Sequence, residues 1–134
     1  MPLFGTKEWV EKYVEELNNN KAYEEAASWW EGDFVFIAEP AGNLDHELKL
    51  YVDLWHGKCR GGRVLEPGEE QEAEFIWSGT WDNWILLLTK KVDPIQGLMA
   101  GKFKLVGNMA KIMRATKAAQ EMVNSVVATD TQLY

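Results

Sequence analysis

The chain has 134 residues, with 21 acidic and 14 basic side chains and one cysteine, Cys59. This length predicts a single domain over residues 1–134, and the lone cysteine excludes an internal disulfide framework. No apolar run is longer than residues 84–88, which is too short to cross a bilayer, and the N-terminus lacks the charged-then-apolar order of a signal peptide. We therefore expect a mature, cytoplasmic protein.

The formal net charge of −7 is unevenly divided along the chain. The first 75 residues carry 17 acidic and 7 basic side chains, whereas residues 94–120 contain no carboxylate. The basic residues of that segment are Lys102, Lys104, Lys111, Arg114 and Lys117. The pattern fits a solvated face, or a docking face for anionic lipid headgroups, acyl-CoA phosphates or transient contact with an anionic membrane surface. The negative total and the absence of a recognised motif argue against nucleic acid.

Two helices are predicted before the first strand. Thr6 can cap a helix that starts at Lys7, because its hydroxyl can accept a hydrogen bond from a free backbone N–H group of the first turn. The polar residues 18–20 end this helix. Apolar side chains at helical spacing in residues 21–30 predict a second helix, which Gly32 terminates.

Four strands are predicted next. Residues 33–39 are apolar in both alternating sets, which is typical of a central strand. Residues 46–55 alternate between apolar and polar side chains, so one face of this strand is expected to be buried. His56-Gly57 predicts a hairpin into a charged, glycine-broken edge strand over residues 58–65. Residues 72–79 predict the fourth strand.

The last part of the chain predicts three helices and one more strand. Thr80 is expected to cap a nearly all-apolar helix. Asp93-Pro94 begins a short helix that Gly101 ends, because proline suits the first helical turn and glycine the residue after the last one. Residues 102–106 predict a fifth strand, and residues 108–127 predict a long final helix.

The stretch "DPIQGLMAGKFKLVGN" (residues 93–108) and the "MAKIMRATKAAQEMV" that follows it resemble the C-terminal half of the sterol carrier protein type 2 (sterol-transfer) family. Recognisable residues cover mainly residues 75–125, and the order of elements covers almost the whole chain. The resemblance implies an α+β fold with a five-stranded, mixed and mainly antiparallel sheet covered by helices, in the order α-α-β-β-β-β-α-α-β-α. It also implies an apolar tunnel between sheet and helices, with the last helix as a lid.

The function implied by this resemblance is intracellular lipid binding or transfer, with a fatty acyl, sterol-like or other apolar ligand such as a fatty acid or an acyl-CoA. No catalytic residue, metal or cofactor is predicted. The expected tunnel-wall residues are Phe36, Leu50, Phe75, Trp84, Leu88, Leu98, Met99, Phe103, Met113 and Met122. The candidates for headgroup contact are Lys102, Lys104 and Lys111. Simple core packing of the methionines stays open as an alternative.

Two other functions stay open. A small cone-shaped (NTF2-like) enzyme acting on an apolar carbonyl substrate needs an acid–base pair, for which His46 and Asp53 are the candidates. Strand alternation directs Asp53 to the polar face and His46 inward, so no placed pair is predicted. An interaction module is the second alternative, because Tyr51 and Trp55 on the outer face of the sheet could seal a homodimer.

Overall fold

A computed structural model describes residues 1–134 and confirms the predicted α+β class. The N-terminal part contains α1 (Lys7–Asn18), α2 (Lys21–Ala26), β1 (Glu31–Glu39), β2 (Leu48–Trp55), β3 (Lys58–Val64) and β4 (Phe75–Thr80). The C-terminal part contains α3 (Trp81–Leu88), α4 (Pro94–Met99), β5 (Lys104–Val106), α5 (Met109–Met113) and α6 (Thr116–Ala128). The predicted order of elements is confirmed, with the final helix divided into two pieces. None of the helices has the length and apolar character needed to span a membrane.

Polar side chains cap two of the helices at the starts that the sequence predicts. The Thr6 hydroxyl accepts a hydrogen bond from the Trp9 backbone N–H at 3.3 Å. Asp93 Oδ2 accepts from two backbone N–H groups in the first turn of α4, at 3.0 and 3.2 Å. These bonds satisfy N–H groups that have no partner inside the helix. Thr80 precedes α3, but its hydroxyl makes no capping bond, so that part of the prediction is wrong.

Two helices differ in length from the predicted ones. α2 ends at Ala26 rather than Trp30, whose indole N–H donates instead to the Gly32 carbonyl at 2.9 Å. The final helix breaks at Ala115, where φ is −97° and ψ is 22°. At this break the Thr116 hydroxyl donates to the carbonyl of the last residue of α5, at 3.0 Å. The break separates α5 from α6, so the two helices can pack in different directions.

The sheet has the strand order β3-β2-β1-β4-β5. β1 pairs antiparallel with β2 and parallel with β4, and β4 pairs antiparallel with β5. The predictions of a central first strand and an edge third strand are therefore confirmed. His56 and Gly57 join β2 to β3 with φ values of 49° and 80°, the left-handed backbone of a tight hairpin turn, which confirms the predicted hairpin.

Helices cover one face of the sheet. The alternating residues Leu48, Leu50, Val52 and Leu54 on β2 are all at most 7% exposed and belong to a core cluster of 30 buried residues. α1 packs against β3, and α6 contacts each of the first four helices. The opposite face keeps an exposed Trp55, so the homodimer stays a prediction. The core between sheet and helices is where an internal ligand site must lie.

Gly107 lets the chain enter α5 directly beside a buried ring. Its φ is +136°, and a Cβ at this position would lie 2.4 Å from Phe75 Cδ1, so only glycine fits. Lys111 then lies over the Trp30 ring, 4.8 Å from its centroid, and its Nζ bonds Glu74 Oε2 at 2.6 Å. The short helix α5 is thereby fixed against one end of the sheet.

Candidate ligand-binding site

An apolar cavity of about 110 Å³ lies between the helix-covered face of the sheet and the helices. Twenty-two of its 23 wall residues are hydrophobic, and none carries a charge. Every layer of the fold contributes, from Phe4 before α1 to Val126 on α6. The cavity can therefore accommodate apolar groups and offers nothing to a charged one.

The sheet forms a continuous aromatic and aliphatic floor. Phe36 on β1 lies opposite Leu50 on β2 and Trp77 on β4, and all three line the cavity. Phe34, two residues along the same face, stacks on Phe36 with ring centroids 5.1 Å apart. Because side chains alternate across a strand, these neighbours in register place their side chains on one face.

The first helix supplies two aromatic rings whose polar atoms already have hydrogen-bond partners. Trp9 and Tyr13 on α1 stack with centroids 4.9 Å apart. The Trp9 indole N–H donates to Thr131 Oγ1 at 2.7 Å, and the Tyr13 hydroxyl donates to the Met122 carbonyl at 3.0 Å. Burial raises the pKa of Tyr13 well above its usual value, so the phenol stays neutral. These rings present apolar surface to the cavity.

Small side chains on the C-terminal side leave the space open. Ala115, Ala118 and Ala119 line the cavity at and just after the break between α5 and α6. Met122 follows one turn later and is only half-buried. Alanine fills little volume, and methionine adapts its shape to its surroundings, so this side of the wall is where the cavity can most easily change size.

One wall group lacks a hydrogen-bond partner. Trp77 is 5% exposed, and its buried Nε1 has no acceptor. Trp81 has a second unpartnered Nε1, but Trp81 does not line the cavity. An unsatisfied buried N–H costs about 1–3 kcal/mol, so a ligand oxygen that reached Trp77 would gain a donor already free of competing bonds.

The structure divides the residues predicted for the wall. Those that line the cavity are Phe36, Leu50, Trp84 and Met122. Those that are buried in the core outside the cavity are Phe75, Leu88, Leu98 and Phe103. Met99 and Met113 are 71% and 37% exposed and lie at the surface, which corrects the expectation that they form the wall. Helical spacing identifies an apolar face but does not distinguish its buried edge from its exposed one.

The three predicted headgroup lysines differ in their surroundings. The Nζ of Lys111 bonds both the Glu31 carbonyl and the Glu74 carboxylate, so this side chain is a tether between α5 and the sheet. Lys102 and Lys104 form no ion pair. None of the three lines the cavity.

The sequence expectations missed the contribution of the first two helices, of the residues just after them, and of two alanines on α6. Trp9, Tyr13, Tyr23 and Trp30 all line the cavity, as does the alanine pair at 118–119. A signal was present, because the first helix carries its aromatic residues at helical spacing on one face. The recognisable family residues lie mainly in residues 75–125, so the predicted wall residues come mostly from the C-terminal elements.

The candidate acid–base pair does not assemble. His46 precedes β2, its side chain is 53% exposed, and its Nδ1 pairs with Asp45 Oδ1 at 2.8 Å. The inward orientation expected for His46 is wrong, because strand alternation begins only at Leu48. Asp53 lies on the outer face, as predicted, and accepts two hydrogen bonds from Arg60 at 3.2 Å. Neither His46 nor Asp53 lines the cavity.

A helix-covered sheet with an uncharged internal cavity defines a domain of the lipid-binding class. The sequence matches the SCP-2 sterol transfer family over residues 11–120, and the chain belongs to that family. The predicted resemblance is therefore confirmed.

Solved structures share both sequence and fold with this chain. A crystal structure of sterol carrier protein 2 is 32% identical, has a TM-score of 0.82, and the match covers 92% of this chain and 96% of that one. A solution structure of a conserved hypothetical protein from Thermus thermophilus is 31% identical, has a TM-score of 0.86, and the match covers 96% and 91% of the two chains.

A longer relative matches over part of the chain. Human hydroxysteroid dehydrogenase-like protein 2 is 31% identical over 72 residues, which is 54% of this chain. The match spans only 16% of that relative's length. The comparison therefore concerns a segment of a much longer protein.

Proposed function

We propose that residues 1–134 act as a single lipid-binding domain that holds an apolar ligand, such as a fatty acid, in the internal cavity and transfers it. The observation that carries this proposal is the cavity wall, with 22 hydrophobic residues out of 23 and no charge. Membership of the SCP-2 sterol transfer family supports the same conclusion from sequence.

The volume of the cavity requires it to widen when a ligand enters. An engineered cavity of about 150 Å³ holds one benzene molecule, and typical ligand pockets measure about 300–1,000 Å³. The 110 Å³ observed here is smaller than either. A long-chain ligand must therefore displace wall side chains, and the flexible Met122 beside Ala119 is the easiest part of the wall to move.

The energetics favour a long acyl chain. Burying twelve methylenes contributes about 10 kcal/mol at about 0.8 kcal/mol each. Association and chain ordering cost at least about 4 kcal/mol, which leaves binding in the range of tens of micromolar or weaker. Four further methylenes contribute about 3 kcal/mol more, so a sixteen-carbon chain binds about 100-fold more tightly, in the sub-micromolar range or weaker. Affinity of this order permits both loading and release.

Lys102 and Lys104 are the headgroup candidates left free by the structure, because Lys111 is already bonded to Glu31 and Glu74. If they attract a fatty acid carboxylate, its affinity falls as salt is added, while that of the matched fatty alcohol does not. The variant Lys104→Gln should remove part of this salt dependence. The variant Lys90→Gln is the control, since Lys90 also lacks an ion pair but lies beyond the end of α3.

The proposal contains no catalytic step. His46 is paired with Asp45 and Asp53 with Arg60, so neither is positioned to act on a molecule in the cavity. The word dehydrogenase in the name of the human relative describes that protein, and this chain matches only 16% of it. Carriage of an apolar molecule needs only the cavity and a route into it.

The test is to fill the cavity from its helical side. The variant Ala119→Phe places a ring in a space smaller than one that accepts benzene, and it should abolish saturable binding of a fluorescent fatty acid by delipidated protein. The matched control is Ala110→Phe, on the exposed surface of α5, which should bind as wild type does. Unchanged binding by Ala119→Phe would place the ligand elsewhere. Mass spectrometry of molecules released on denaturation identifies the natural ligand.

A further inference from the structure

Exposed apolar side chains are concentrated in one segment of the surface. Eight large hydrophobic residues are exposed in the whole chain, and four of them lie within residues 99–113. Met109 and Met113 are 46% and 37% exposed and stand four residues apart on α5, so they share one side of that helix. Trp29, 37% exposed, lies against the same helix end, because the Arg114 guanidinium carbon is 4.8 Å from its ring centroid. We call this group, Trp29, Met109, Met113 and Arg114, the α5 face.

The positive charge of the α5 face is not neutralised by the protein. Arg114 forms no ion pair, whereas Lys111 and Lys117 in the same segment are paired with Glu74 and Glu121 at 2.6 and 3.0 Å. Lys104 on the neighbouring strand β5 is exposed and also unpaired. No carboxylate occurs anywhere in residues 94–120. The face therefore presents cations and apolar groups together on a protein whose net charge is −7.

A second exposed tryptophan also lies beside an arginine, but there the arginine is paired with a carboxylate of the protein. Trp55 is 40% exposed and has Arg60 over its ring at 4.6 Å, nearly the same arrangement as Trp29 with Arg114. However, both carboxylate oxygens of Asp53 accept hydrogen bonds from Arg60 at 3.2 Å. The two aromatic–guanidinium pairs thus differ in whether an anion of the protein already neutralises the cation.

We propose that the α5 face docks on the surface of a bilayer that contains anionic lipids. Tryptophan and other amphipathic side chains settle at the level of the headgroups, and unpaired cations are attracted by anionic lipids. The charge distribution supports this occupant, because an anionic surface repels the acidic first half of the protein and attracts the segment without carboxylates. Attraction and repulsion together orient the molecule with α5 toward the lipid.

Docking in this orientation brings the cavity to the membrane. The same short helix carries Ile112, which is 3% exposed and lines the cavity, and Ala115 after the helix also lines it. An α-helix with its side chains is about 10–12 Å across, so one helix separates the bilayer from the ligand site. The purpose of docking rests on the proposed function, whereas docking itself is measured without reference to the cavity.

The experiment is flotation of the full chain with vesicles of phosphatidylcholine alone and of phosphatidylcholine with phosphatidylglycerol. We expect wild type to float only with the anionic vesicles. Arg114→Gln should reduce the partition coefficient about fivefold, the value that corresponds to one cation near an anionic surface. Met109→Ser tests the apolar part and should reduce it further when combined with Arg114→Gln. Arg60→Gln and Trp55→Ala are the matched controls and should float as wild type does.

Several results would overturn the proposal: no flotation with anionic vesicles, equal flotation with phosphatidylcholine alone, or equal losses in the controls and the α5-face variants. A dimer of wild type that Met109→Ser converts to monomer, measured by light scattering, would make the face a contact between copies of the chain. The two substituted side chains, Met109 and Arg114, are exposed, so both variants should fold, and circular dichroism checks this. Their fatty acid affinity in vesicle-free solution should equal that of wild type. Loss of flotation with intact fatty acid binding separates a docking defect from failure of the cavity proposal.

Discussion

Gln120 Nε2 donates a hydrogen bond to Asp93 Oδ1 at 2.7 Å, which joins α6 to the residue that caps α4. The residues next to this bond on each helix, Pro94 and Ala119, line the cavity. The bond therefore closes the flank of the cavity where α4 meets α6. A ligand that enters along this flank must separate these two helices.

The variant Gln120→Leu should load and release a fluorescent fatty acid faster than wild type, because one bond that holds the flank closed is gone. Asp93 still caps α4 through Oδ2, so the free energy of unfolding should fall by only about 1 kcal/mol. Stopped-flow fluorescence measures both rates. Gln71→Leu is the control. Gln71 lies in the connection between β3 and β4, away from the cavity wall, and its side-chain oxygen accepts a hydrogen bond from Arg63 on β3. Equal rates in wild type and Gln120→Leu would show that entry occurs by another route.

Affinity should rise with the length of the acyl chain. Each methylene buried contributes about 0.8 kcal/mol, which is roughly fourfold in Kd. The increase should stop at the length where the widened cavity is full. Calorimetric titration with fatty acids of increasing length measures this dependence, with the heat-capacity change as the marker of apolar burial. An affinity that does not depend on chain length would contradict binding of the chain inside the protein.

Acid should weaken the attachment of α6 through Glu121. Burial alone would raise the pKa of this carboxyl, but hydrogen bonds from Lys117, Asn124 and Asn20 together hold it below its usual value of 4.5. A group with a lowered folded-state pKa contributes stability above its unfolded pKa and loses it as the pH falls through the folded pKa. Wild type should therefore be more stable than Glu121→Gln at pH 7, and the difference should shrink below about pH 4.5.

Denaturant unfolding at a series of pH values measures this difference. Glu8→Gln is the comparison, because Glu8 lies at the surface of α1 and its ion pair with Lys12 spans 3.7 Å. Exposed pairs of this kind contribute at most about 1 kcal/mol, so the Glu8 variant should show little change at any pH. A gap between wild type and Glu121→Gln that stays constant down to low pH would show that ionisation of Glu121 is not the cause.

Two glycines with positive φ should respond differently to alanine. At Gly101 (φ +78°) an added Cβ meets no atom within 4 Å, so Gly101→Ala should cost only the conformational penalty of about 1–2 kcal/mol. At Gly107 the same Cβ would lie 2.4 Å from Phe75 Cδ1, so Gly107→Ala should cost about 1–3 kcal/mol more. Thermal and denaturant unfolding measure both changes, and equal losses would contradict the steric role of Gly107.

The strands were predictable because their patterns are strict. The alternation from Leu48 to Leu54 predicts a strand with one buried face, and the two apolar faces of β1 predict a central strand. The break at Ala115 was not predictable in the same way, because the sequence on both sides of it has helical spacing. Tertiary packing against the sheet decides where α5 ends and α6 starts.

The cavity wall was only partly predictable for a related reason. Periodicity shows that a side chain faces the core, but it does not show whether its neighbour is another side chain or empty space. Phe75 and Phe36 illustrate this, since both face the helices but only Phe36 borders the cavity. The small side chains of the alanines at 118 and 119 leave volume unfilled, and this volume can be recognised only from the packing of the helices in the folded structure.

The most direct test of the ligand's position uses the methyl groups of methionine. Met122 is the one methionine in the cavity wall, whereas Met99 is 71% exposed on α4. With ¹³C-methyl methionine and a saturating fatty acid, we expect intermolecular nuclear Overhauser effects between the acyl chain and the Met122 methyl and none to Met99. Contacts to Met99 without contacts to Met122 would place the ligand outside the cavity and contradict the proposed function.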